Sequence, residues 1–234
     1  MLKPVLCALM LVTVWPACAA DAVTDAMQQA YAPYRVALFK TNMHDQAESQ
    51  QALTKAQQAW RLLTARFGVK PPAPYDRDPA FAATLAEVDQ AYAQAAQEIA
   101  KNQLGAAHET LERVRDILSA LRQRNQVIVY SDHMNAYHSE MEHALKAGPK
   151  LLGEPNGLLQ LGMQAGVLEF LARRLRMEAP VEQANNPEFL SLAQAVEGSV
   201  AALKAALLAQ NPTAAKEALG KLKPAYSKLF LKFG

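Results

Sequence analysis

The stretch Tyr130–His143, YSDHMNAYHSEMEH, holds three of the chain's five histidines and two of its eight methionines. The chemistry on offer is imidazole nitrogen and thioether sulfur. Thioether is a soft donor that prefers Cu(I), and imidazole accepts Cu(I), Cu(II) and Zn(II). A His/Met set without cysteine suits copper in an oxidising compartment, whereas zinc favours His with Cys or carboxylate. At about 100° per residue, Met134, His138, Met141 and Leu145 share one helical stripe. His133, Tyr137 and Glu140 share the adjoining one, and His143 lies nearly opposite Met134, so the three histidines cannot serve one ion. A second polar patch, TNMHDQAESQQ, carries Met43 and His44. The candidate metal ligands are therefore Met43, His44, His133, Met134, His138 and Met141.

The same residues also have ordinary structural roles open to them. Methionine at helical spacing is common core filler. His44 with Glu48, His108 with Glu112 and His138 with Glu142 are four apart, as in plain helix-face pairs. His108 and His143 are read that way. Glu140 to His143 is a Glu-x-x-His motif of the kind found in di-iron bundles, but such a site needs a second copy on a facing helix, and none is present. Non-covalent haem is an alternative, with Met43 or Met134 and His133 or His138 as axial ligands. A third alternative is a cofactor-free module that binds a small ligand or a partner protein in the groove between two halves. No serine–histidine–acid arrangement, P-loop or dinucleotide glycine motif is present, so no catalytic reaction is expected.

The first twenty residues, MLKPVLCALMLVTVWPACAA, read as a secretory signal peptide cleaved after Ala19 or Ala20. Cys7 and Cys18, the only cysteines, fall inside it. A mature chain without cysteine has no disulfides, thiolate metal sites or covalently attached haem. The formal charge of +2 drops to about +1 once Lys3 is removed, and no basic stripe invites nucleic acid. No later segment reaches transmembrane length. The expectation is an exported, periplasmic protein.

Alanine-rich, aromatic-poor composition predicts an all-α fold. Leu53, Ala56, Trp60, Leu63 and Phe67 make one apolar face on a long first helix, with Pro33 near its start. Asp78–Pro79 opens a second helix lined by Phe81, Leu85, Val88, Tyr92 and Ile99. A third comes after Gly105, with Leu111, Val114, Leu118 and Leu121 inward. A shift of 108 residues carries Pro79 onto Pro187, Phe81 onto Phe189, Val88 onto Val196, Leu111 onto Leu219 and Leu121 onto Leu229. That predicts two tandem three-helix repeats, 21–124 and 125–234, about a pseudo-twofold axis. The front aligns at a shift of 90, which sets Met43–His44 on His133–Met134. The difference, 108 minus 90, implies 18 extra residues near 146–163 as an inserted helix break. On the last helix, Leu222, Tyr226, Leu229 and Phe233 form an apolar face ringed by lysines. It is read as a final core helix, with membrane-surface docking as the sharper alternative.

Overall fold

The computed structural model describes residues 21–234. The signal peptide expected at 1–20, with both cysteines, lies outside the described residues. Among these the chain is all-α, without a strand: α1 (Ala22–Asn42), α2 (Gln46–Phe67), α3 (Phe81–Ala100), α4 (Leu104–Arg124), α5 (Tyr130–Leu151), α6 (Gly157–Met177), the single turn α7 (Val181–Ala184), α8 (Pro187–Leu208) and α9 (Pro212–Phe233).

Side-chain caps start several of these helices by accepting orphan N–H groups. Asp21 accepts from Val23 and Thr24 at 3.1 Å, Asp45 from Glu48 at 3.0 Å, and Asn211 from Ala214 at 3.0 Å. Asn186 accepts from Glu188 and Phe189, with Pro187 opening the helix as expected. Asp78 holds a turn just ahead of its helix and is not the N-cap expected, a position taken by Ala80. It accepts from Ala80 at 2.9 Å, and regular helix begins only at Phe81.

In the first half α1 packs on α2, α3 on α4, α2 on α3 and α1 on α4. In the second half α5 packs on α6, α8 on α9, α6 on α8 and α5 on α9. Each half is thus a four-helix bundle, not the three-helix unit expected. The long first helix is broken at Met43–Asp45, where His44 takes a left-handed φ of 56° and Asp45 caps the start of α2. Pro33 sits inside α1, not near its start. The break at 152–156 in the second half therefore has a counterpart in the first, and an 18-residue insertion is not needed to explain it. The alignment at 90 fails with it, since Met43 ends α1 while Met134 lies near the start of α5.

Burial obeys the longer spacing. Phe81, Val88, Leu111 and Leu121 are core residues, as are Phe189, Val196, Leu219 and Leu229. Met27 and Ala37 of α1 correspond in burial to Met134 and Ala144 of α5 at a spacing of 107, one residue short of the 108 that the later helices keep. Leu222, Tyr226 and Leu229 of α9 are buried, so its apolar face is core and membrane docking by that face is ruled out. No described helix is long and apolar enough to cross a membrane.

Close helix packing gives one sharp constraint. A Cβ on Gly148 of α5 would stand 2.6 Å from Leu219 Cδ1 of α9. Gly148→Ala is expected to cost about 1–3 kcal/mol by overpacking, despite the better helix former. Urea unfolding checks this, and Leu219→Val in the same chain should restore part of the loss.

Candidate functional site

The two halves meet along α1 and α4 on one side and α5 and α9 on the other. Aromatic and polar side chains hold this seam together. Arg35 of α1 donates across it to the Phe230 carbonyl of α9 at 2.9 Å, and the Tyr31 ring meets the Phe230 ring edge-on at 6.4 Å, while Tyr34 donates to the Leu111 carbonyl at 2.8 Å within the first half and Tyr226 to the Met134 carbonyl at 3.2 Å within the second. Tyr226 stacks on Phe230 and on Tyr137, with centroids 5.7 and 5.4 Å apart. The start of α5 is pinned to α4 by Arg122. Its Nε and Nη2 donate to Asp132 at 3.0 and 2.5 Å, and Ser119 and the Val129 N–H donate to the same carboxylate.

At the middle of the seam lies a cluster of titratable groups. Glu112 Oε1 is 3.1 Å from His138 Nε2, 3.6 Å from His108 Nε2 and 3.7 Å from Arg115 Nη2. Burial alone would raise the Glu112 carboxyl. The His138 hydrogen bond and the Arg115 charge outweigh it and hold the group at about 2. An ionised carboxylate only accepts, so His138 Nε2 carries the proton it shares with Glu112. Its other nitrogen, Nδ1, is buried and has no hydrogen-bond partner. His108 is fixed the other way round. Its Nδ1–H donates to the Leu38 carbonyl at 3.0 Å, and Nε2 turns its lone pair toward Glu112. Burial pushes the His108 imidazole below its usual range, more than Glu112 lifts it. A cavity of about 40 Å³ adjoins the cluster, lined also by Asn42, Lys223 and Ser227. It has room for a single water-sized species.

The six ligand candidates separate. Met134, His138 and Met141 share the buried stripe of α5, as their spacing predicts. His133 is half-buried on the neighbouring stripe, and burial, then the Arg174 charge, lowers its pKa. Met43 and His44 are solvent-exposed at the α1–α2 turn, a position that leaves them off that stripe. Among the described residues, no group of three or more His, Cys, Asp and Glu side chains is placed to hold a metal ion. Thioether donors are a separate matter, and Met134 and Met141 flank His138 at one helical turn on either side.

His108, Glu112 and Arg115 belong to the site, although the sequence suggests only a plain helix-face pair for His108 and Glu112. Their spacing is visible there, but the approach of His138 from α5 has no signature in periodicity.

The fold and this seam define an all-α double bundle with a half-buried His–Glu–His cluster between its halves. Comparison with protein-family models, with curated proteins and with solved structures returns no match.

Proposed function

We propose that the protein is a non-catalytic metal-binding module that holds Cu(I) at His138, with Met134 and Met141 as thioether partners. Its work is to store or pass on the ion in an exported compartment. The observation that carries this reading is the orphaned Nδ1 of His138. A buried nitrogen without a partner is uncommon and costly. Here the opposite nitrogen is held by a carboxylate, the outer contact that typically orients a metal-binding imidazole and raises its basicity. Imidazole nitrogen beside two fully buried methionines is a donor set suited to the reduced ion. The adjoining cavity of about 40 Å³, which His138 lines but Met134 and Met141 do not, is far smaller than the several hundred Å³ of a typical cofactor pocket, which disfavours haem.

The test is an anaerobic Cu(I) titration against a chromophoric chelator. Wild-type protein should withdraw one ion. His138→Ala should abolish competition, and Met134→Leu with Met141→Leu should weaken it at least about tenfold, a change of about 1.4 kcal/mol. Met43→Leu and His44→Ala should leave it unchanged. Bound copper should also raise the melting temperature, by about 2.7 kcal/mol of stabilisation at a hundredfold excess over Kd. No withdrawal of copper, or full affinity in a folded His138→Ala variant, overturns the assignment.

A further inference from the structure

The outer face of α6 is unusual for a helix at the edge of a bundle. Leu159, Met163, Val167, Phe170 and Met177 are 68, 63, 47, 61 and 77 % exposed. At about 100° per residue they fall within one stripe, opposite the buried Leu161, Ala165, Leu168, Ala172 and Leu175 that face α5 and α8. The stripe runs about 27 Å at 1.5 Å per residue. It is interrupted only by Arg174, whose guanidinium lies 5.9 Å from the Phe170 ring.

The fold itself does not demand this. α2 holds the corresponding place in the first half, with Leu53, Trp60 and Phe67 buried as Leu161, Leu168 and Leu175 are in α6. The α2 positions that match Leu159 and Met163 at the 108-residue spacing are Gln51 and Lys55, both exposed. Further along, Ala59 and the exposed Leu62 and Val69 match Val167, Phe170 and Met177, so the contrast between the halves lies at the N-terminal end of the stripe. Contiguous apolar surface of several hundred Å² marks a contact site rather than random exposure.

We propose that this face of α6 pairs with the same face of a second copy, antiparallel about a twofold axis. Isologous pairing needs a patch that complements itself, and a straight stripe of interlocking apolar side chains does so. Five such side chains, exposed by half to three quarters, offer on the order of 600 Å² per copy. Leu208, 83 % exposed beside Leu159 and Met163, extends this toward the ~800 Å² per partner of a specific interface. Gly162 and Gly166 stand at the edge of the stripe, where an added Cβ would meet nothing within 4 Å. They leave room for a second backbone to approach. Antiparallel pairing also keeps apart the two C-terminal ends, where Arg173, Arg174 and Arg176 pair with Glu169, Glu178 and Glu197 of their own chain.

Sedimentation velocity over a concentration series tests this on the full chain. Wild type should show a monomer–dimer equilibrium. Phe170→Glu and Met163→Glu should each weaken it at least about tenfold, with helicity by circular dichroism unchanged. Lys55→Glu, at the matching place on α2, should leave it intact. A monomer at every concentration overturns the proposal, as does a dimer that survives both variants. A monomer that floats with anionic vesicles also overturns it and assigns the face to lipid.

Discussion

Asp132→Ala is expected to remove about 3–5 kcal/mol of stability, because it strands a buried cation. The Arg122 side chain is 1 % exposed, and Asp132 is its bidentate partner. Without that carboxylate, the guanidinium N–H groups of an Arg122 that is itself 1 % exposed lose their partner. Asp132 also accepts from Ser119 and from the Val129 N–H at the start of α5. The variant therefore loses a helix start and a favourable charge near the positive end of the helix dipole as well. At roughly 2–4 °C per kcal/mol for a chain of this size, the melting temperature should fall by on the order of 10 °C. Removing both partners is a different experiment. Arg122→Met with Asp132→Leu leaves no unpaired charge and should cost far less than Asp132→Ala alone. Chemical denaturation of the single and double variants separates the two cases. A loss under about 1 kcal/mol for Asp132→Ala would show that water reaches Arg122 and that the seam opens in solution.

The two halves and much of their cores are legible in the sequence because both depend on local pattern. The α5 stripe of Met134, His138 and Met141 comes directly from helical spacing. The Asn186–Pro187 start of α8 comes from cap chemistry, and the shift of 108 from apolar phase. The break after α1 is harder to see although a signal exists: Asp45 stands three residues before Glu48, an acidic cap and then the acidic residue that favours a first turn. Helix-forming residues on both sides hide it, and with it the fourth helix of each half. The outer face of α6 is hidden for a related reason. Its helix is apolar on both sides, so the sequence shows a hydrophobic run without revealing which side remains uncovered. The seam cannot be read at all. His108 and His138 are 30 residues apart on different helices, and their meeting on Glu112 depends on how two bundles dock. That is a tertiary fact, with no counterpart in spacing.

Glu112 is the group on which that docking and the proposed metal site both depend, and Glu112→Gln separates its charge from its shape. The amide keeps an acceptor for His138 Nε2–H but loses the anion that faces His138, His108 and Arg115. The Glu112 carboxyl is held near 2 against an ordinary 4.5, so folding favours its ionised form. For a depressed carboxyl, the stabilisation is complete above the unfolded value and disappears as pH falls from about 5 toward 2. Full conversion of the shift at about 1.4 kcal/mol per unit gives roughly 3 kcal/mol. The side chain is partly open to solvent, so about 2 kcal/mol is the reasonable expectation after screening. His108 adds to the same limb. Its folded value is lowered from 6.5, so the neutral ring is the form that folding favours, and stability begins to fall below about pH 6.5. Wild-type protein should therefore lose stability in two overlapping steps on acidification. Glu112→Gln should be less stable near neutrality and should lack the lower step. The upper step should be steeper, because His108 no longer has an anion to offset the cost of its charge. The same variant should bind Cu(I) about 10–100-fold more weakly if the carboxylate orients and activates His138 as an outer partner of the metal. Loss of the acid step with unchanged copper affinity keeps Glu112 as a structural anion and removes it from the metal site. Loss of both joins the seam and the metal in one group, so that acid which loosens the two halves would also release the ion.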